Sequence, residues 1–176
     1  MVGSAKHVMR NSPSHTMELP RLIVVGEKNI GKLGSFLLDL GPTKKISIIA
    51  GNNVQKIVKT KITKSLADAK IKAVWHVPTT NDEKSIGIIE FEVRKDKSDL
   101  IVGIGGGRSI DIAKMISYNL SKPFVSVPTT ASHDGIASPF VSIKGEKPHS
   151  LVATAPLGVF VDIDVIKKAP KKLLAA

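Results

Sequence analysis

Three stretches of this chain carry residue types whose spacing could do chemistry. Gly103-Ile104-Gly105-Gly106-Gly107-Arg108-Ser109-Ile110-Asp111 follows an apolar run and opens a helical pattern. Adjacent glycines let a backbone approach a pyrophosphate with no Cβ in the way. Their N–H groups, and the positive end of a helix starting near Ser109, attract an anion. A plain strand-to-helix turn would not need three glycines in a row, since each costs entropy on folding. We therefore read the loop as a phosphate cradle. It differs from the Rossmann fingerprint, which would place a glycine where Arg108 stands. The second stretch, Gly26-Glu27-Lys28-Asn29-Ile30-Gly31-Lys32-Leu33, matches G-x-x-x-x-G-K. It then presents Leu33 where a Ser or Thr hydroxyl would hold magnesium. Leu33 also fits the apolar stripe of the next helix, so the match is read as accidental. The third stretch is Pro128-Thr129-Thr130-Ala131-Ser132-His133-Asp134-Gly135-Ile136-Ala137-Ser138-Pro139. It gathers hydroxyls, an imidazole and a carboxylate beyond the end of a strand, where open α/β sheets bind ligands. A loop of self-bonding turn residues has the same composition. Position decides in favour of a site, because both loops should open on one edge of the sheet.

The elements that must position these loops alternate regularly. Leu22–Val25, Ile46–Ala50, Ala73–Val77, Leu100–Ile104 and Pro123–Val127 read as five strands. Between them, Ile30, Leu33, Leu37 and Leu40, then Val54, Ile57, Val58, Ile62 and Leu66, then Ile86, Ile89 and Val93 recur at helical spacing. Asn52 or Asn53 could cap the second helix. A fourth helix runs from about Ser109 to Leu120. The strands are apolar throughout rather than alternating, which argues a parallel sheet covered on both faces. After Val127 the pattern changes to short strands at Phe140–Ile143, Ser150–Ala153 and Val159–Ile163, read as hairpins attached to the main sheet. The expected fold is thus an α/β, parallel-sheet dinucleotide-binding domain with added β-hairpins. Residues 1–17 are expected to be a flexible extension and 18–164 the α/β domain. Residues 165–176 would start a further helical domain, with Pro170 near its first turn. The run Lys171-Lys172-Leu173-Leu174-Ala175-Ala176 has no stop signal, so the chain is expected to be part of something longer, with that helical domain missing.

Composition bounds the function. Apolar residues make up 42% and charged residues 23% of 176, as in an ordinary soluble domain. Cysteine is absent, which removes disulfides, thiolate catalysis and thiolate metal sites and fits a reducing compartment. The net charge of +11 would suit nucleic acid, but its distribution does not. Segments 1–17, 54–72 and 165–176 carry +2, +5 and +4 and hold the whole excess. On the middle segment Lys56, Lys59, Lys64 and Lys70 fall largely away from the apolar stripe, as on a solvated face. Aromatic residues are only 4%, too few for base-stacking platforms. Neither a signal-peptide core nor a membrane-length apolar run is present, and a cytoplasmic location is expected.

Gly105 to Lys114, followed by Val127-Pro128-Thr129-Thr130-Ala131-Ser132-His133-Asp134-Gly135-Ile136-Ala137-Ser138-Pro139, resembles the archaeal sn-glycerol-1-phosphate dehydrogenases. These belong to the superfamily of metal-dependent polyol dehydrogenases and dehydroquinate synthases. The likeness runs from about Glu18 to Ala176, and Thr-Thr-Ala-Ser-His-Asp-Gly is its most specific part. The resemblance implies reduction of dihydroxyacetone phosphate to sn-glycerol 1-phosphate with NADH or NADPH, for archaeal ether lipids. It implies that Gly105, Gly106, Gly107, Arg108, Ser109, Ile110 and Asp111 meet the cofactor, with residues 107 to 111 on the diphosphate. Thr129, Thr130, Ala131, Ser132 and Ser138 would line it nearer the nicotinamide, and Asp134 would touch the substrate. The family's zinc is held by an Asp just beyond the Leu-Leu-Ala-Ala run and by two His of the helical domain. None of the three falls within these residues, so no metal ligand and no catalytic residue is assigned here. The isolated chain is accordingly expected to be inactive.

The competing readings are a glycerol or polyol dehydrogenase cofactor domain, a nucleotide-binding module without catalysis, and a P-loop phosphotransferase weakened by Leu33. The partners expected are a phosphorylated small molecule and further copies of the chain, with no nucleic acid and no membrane insertion. Gly51-Asn52-Asn53 stands where a carboxylate would bond an adenine-ribose 2′-hydroxyl, so NADPH is expected to serve at least as readily as NADH.

Overall fold

The computed structural model describes residues 18–80, 82–131, 134–143 and 149–170. The expected extension over residues 1–17, the positions Ser132 and His133, and the Lys171–Ala176 run lie outside the described residues.

Six strands form one all-parallel sheet: β1 (Leu22–Gly26), β2 (Lys45–Ala50), β3 (Lys72–His76), β4 (Leu100–Gly105), β5 (Phe124–Pro128) and, later in the chain, β8 (Gly158–Asp162). Their spatial order is β1-β8-β5-β4-β2-β3. Helices α1 (Leu33–Leu40) and α2 (Asn52–Asp68) cover one face, and α3 (Glu83–Asp96) and α4 (Gly107–Leu120) cover the other. Neighbouring residues of a strand feed opposite cores. Ile46 and Ile48 join Leu33, Leu37, Val58, Ile62 and Phe160, whereas Ile49 joins Ile86, Ile89, Ile110 and Ile116. Two-sided burial of this kind is why β2, β4 and β5 read as nearly continuous apolar runs.

The elements after β5 sort differently from the sequence expectation. β6 (Phe140–Ile143) and β7 (His149–Val152) form an antiparallel hairpin as a separate two-stranded sheet. β8 is not a hairpin strand: it enters the main sheet between β1 and β5. The reason is burial. Val159 and Phe160 are both closed off from solvent, whereas Phe140 and Val152 stand exposed at paired ends of the hairpin. Of the stretch expected to open a further helix, only residues 165–170 are described. α5 (Ile163–Ile166) is a single turn that ends before Pro170. Its N-terminal amides are capped by Asp162, whose Oδ1 accepts from Asp164 N at 2.8 Å and Val165 N at 3.3 Å. Nor does either asparagine cap α2. Gly51 takes that position without a side-chain bond, and both asparagines lie in the first turn.

β3 is the sheet edge, and a polar clasp holds it to α3. His76 Nδ1 lies 3.2 Å from Glu92 Oε2 and Nε2 lies 2.7 Å from Asp96 Oδ2, two carboxylates one helical turn apart. From β2 the chain steps outward to β3 and then returns to β4 on the other side of β2. That reversal leaves a crevice beyond the carboxyl ends of β2 and β4, the place where open sheets bind ligands.

Candidate functional site

The glycine loop sits at that crevice. β4 ends in Gly105, and α4 begins at Gly107 with Gly106 as its N-cap. Among the described residues no N-cap side chain bonds this helix, as with α1 and α2, whereas Asp82 and Asp162 cap α3 and α5. Amides at such a helix start can meet an anion. Gly105 has φ +147, a conformation that side chains rarely adopt, and a Cβ there would lie 2.8 Å from Ser109 Oγ. Gly103 serves packing instead, since a Cβ would meet Ala113 Cβ at 2.9 Å and Ile110 Cα at 3.3 Å. The helix can therefore come down close onto β4.

The loop after β5 lies beside the glycine loop. Thr129 N donates to Gly105 O at 2.9 Å, and a Cβ on Gly106 would stand 3.3 Å from Thr130 Oγ1. Both threonines are buried. Together these residues form one wall of a cleft of about 250 Å³. Asn53, Val54, Ile57 and Val58 of α2 form a second wall, and Val165, Lys168, Ala169 and Pro170 a third. The cleft has an apolar lining with polar groups at Gly106, the two threonines, Asn53 and Lys168. No described residue lining it is acidic. A broader hollow along α2, bordered by Lys56, Lys59 and Lys64, does not include the glycine loop.

The remaining predicted site residues are placed as follows. Arg108 is exposed, and its Nη1 donates to Thr79 O at 3.1 Å, tying the start of α4 to the β3–α3 loop. Ser109 and Ile110 are buried, and Ile110 N donates to Gly106 O at 3.3 Å. Asp111 is buried on α4 and its Oδ2 accepts from Ser142 N of β6 at 3.2 Å. Ala131 is exposed and Ser138 half-buried. Asp134 begins a short 3-10 turn ending at Ile136. Ser132 lies outside the described residues. Sequence reasoning missed the α2 and α5 walls. Val54, Ile57 and Val58 look like any helical stripe, and Lys168 like any surface lysine. Only Asn53 had a signal, through its place after β2.

The P-loop-like stretch is occupied by the protein's own carboxylates. Ile30 N donates to Asp162 Oδ2 at 2.6 Å and Lys28 N to Asp164 Oδ2 at 3.2 Å. Two negative charges fill the place a phosphate would take, and Leu33 is fully buried.

A parallel six-stranded sheet covered by helices on both faces, with a glycine-rich turn from β4 into α4, defines a Rossmann-like α/β protein. The model of the iron-containing alcohol dehydrogenase family matches residues 24–170, and the chain belongs to that family. Over 163 residues it is 63% identical to a glycerol-1-phosphate dehydrogenase (NAD(P)+) of Nitrosopumilus maritimus, which spans 93% of this chain and 46% of the relative. The corresponding enzyme of Cenarchaeum symbiosum is 62% identical, with the same coverage. The chain thus spans about half the length of the curated relatives it matches, their N-terminal portion, as the sequence motifs implied. Among solved structures, glycerol dehydrogenase from Schizosaccharomyces pombe superposes with a TM-score of 0.82 at 25% identity, over 92% of this chain and 42% of that one. An NADH-dependent butanol dehydrogenase A from Thermotoga maritima gives 0.81 at 19% identity, over 91% and 47%, and shares the fold.

Proposed function

We propose that residues 18–170 are the cofactor-binding part of an NAD(P)-dependent sn-glycerol-1-phosphate dehydrogenase, which reduces dihydroxyacetone phosphate in ether-lipid synthesis in the cytoplasm. The observation that carries this reading is the α4 N-terminus at Gly106, opening on a cleft whose described lining residues include no carboxylate. The amides at the start of α4 hold the diphosphate. Val54, Ile57, Val58 and Val165 give an apolar bed for the adenine. Asn53 and Lys168 meet its ribose side, where a neutral amide and a cation tolerate a 2′-phosphate. Thr129, Thr130 and Ser138 face the nicotinamide half, and Asp134 orients the substrate. When bound, the dinucleotide supplies the hydride that reduces the carbonyl carbon. A metal site is not supplied by the described residues, since no three His, Asp or Glu side chains converge among them. The 62–63% identity to glycerol-1-phosphate dehydrogenases favours glycerol phosphate over glycerol as the substrate class.

Titration of the 176-residue chain with NADPH, NADH and ATP tests this. NADPH should bind at least as tightly as NADH, and ATP more weakly than either. A preference for NADH of about a hundredfold, or tight ATP binding with magnesium, would overturn the assignment. The same sample should leave dihydroxyacetone phosphate unreduced.

A further inference from the structure

Lys114 has no solvent-exposed surface, although it sits midway along α4 among Ile110, Ala113 and Ile116. Burial of an ammonium costs several kcal/mol unless its N–H groups are met. An isoleucine would fill the same position at no such cost. The lysine is met by backbone: Nζ donates to Gly135 O at 2.7 Å and to Phe140 O at 2.8 Å. These carbonyls bracket the segment that leaves Asp134, passes Ser138 and enters β6. One turn earlier on the same helix, Asp111 Oδ2 accepts from Ser142 N. α4 therefore carries the glycine loop at its N-terminus and the β5–β6 loop on its flank.

We propose that Lys114 is a positioning residue for the nicotinamide half of the cofactor site. It holds residues 135–140 at a fixed distance from the glycine loop, so that the two ends of one dinucleotide meet parts of a single rigid helix. This rests on the dinucleotide reading above. The lysine touches neither cofactor nor substrate. It acts through the segment it holds, the two carbonyls included, and its removal loosens the loop without disturbing the diphosphate cradle.

The test compares two ligands on the 176-residue chain by calorimetry. NADP+ spans both halves of the site, and 2′-phospho-ADP-ribose lacks the nicotinamide ring. Wild type should prefer NADP+ by about fivefold or more. Lys114→Met should bring that preference close to one, while affinity for 2′-phospho-ADP-ribose stays within about threefold of wild type. Parallel loss of both affinities, or an unchanged preference in a folded variant, would overturn the proposal. So would a wild type with no preference. If circular dichroism shows that Lys114→Met does not fold, Lys114→Gln, which keeps two N–H donors, takes its place. An intermediate preference then supports positioning, and failure of both variants to fold reduces Lys114 to a stability element. Should wild type bind neither ligand, the dinucleotide reading itself falls, which is a distinct result.

Discussion

Gly106 is the residue on which affinity for the diphosphate should turn. It caps α4 in an ordinary extended conformation, so a side chain is not excluded by its backbone. A Cβ would nevertheless reach 3.3 Å from Thr130 Oγ1, and the branches of a valine would stand in the cleft. Gly106→Val should weaken dinucleotide binding about tenfold, or about 1.4 kcal/mol, with the fold kept. A folded variant with unchanged affinity in a fluorescence titration would show that the loop is only a turn. Gly105 would be a poorer test, because its φ of +147 makes any substitution a strain on the backbone.

At the scale of elements, one aspartate joins two strand–helix units. Asp162 ends β8, caps α5 through Oδ1 and, through Oδ2, accepts from Ile30 N at the start of the segment leading to α1. It is buried, and it gathers three backbone donors from both sides of the β1–β8 pair. Asp162→Ala would leave these amides without their acceptor. The expected loss is about 2–4 kcal/mol, read as a lower urea midpoint at constant slope. The α5 wall of the cleft, at Val165 and Lys168, should loosen with it, so cofactor affinity should fall as well. A midpoint shift below about 0.5 kcal/mol would mean that water replaces the carboxylate. The same bonds explain why Gly26–Leu33 does not serve phosphate: its amides are already taken by Asp162 and Asp164.

For the whole molecule, acid stability depends on carboxylates that tie the lower edge of the sheet. Asp99 Oδ2 accepts from Lys44 N at 2.8 Å and Lys45 N at 3.0 Å, linking the entries to β2 and β4. These two backbone bonds, chiefly the one from Lys44, hold its carboxyl below the ordinary aspartate value of 3.8. A group depressed in the folded state stabilises above its unfolded value, and that contribution fades as pH falls through the folded value. Wild type should therefore lead Asp99→Asn in stability near neutrality, and the gap should narrow below about pH 4. Urea melts of both proteins at neutral and acid pH measure this. A gap that widens in acid would reverse the sign and refute the assignment. Asp82, lowered first by Thr80 and then by the Ser85 amide, adds to the same trend at the start of α3.

The parallel sheet was legible in the sequence because the central strands β2, β4 and β5 are buried on both faces and so are largely apolar along their length, while β1 and β3 are only partly buried. The glycine loop was legible because three consecutive glycines exceed what a plain turn needs, and the structure requires glycine most clearly at Gly105, where φ is +147. The family resemblance was carried by the same loop and by the Thr129–Asp134 stretch. What tertiary structure decided was everything set by partners distant in sequence. Val159-Phe160-Val161 could be a hairpin or a central strand, and only the gap between β1 and β5 made it the latter. Asp162 and Asp164 resemble strand-end acids until they are seen on the amides of residues 28–30. Lys114 reads as a helix surface residue, since a lysine four positions after Ile110 carries no mark of burial; the carbonyls that accept its bonds lie 21 and 26 residues away. The α2 wall meets the glycine loop because the strand order reverses between β2 and β4, and the α5 wall because β8 lies beside β5; a pattern of neighbours along the chain cannot record either meeting.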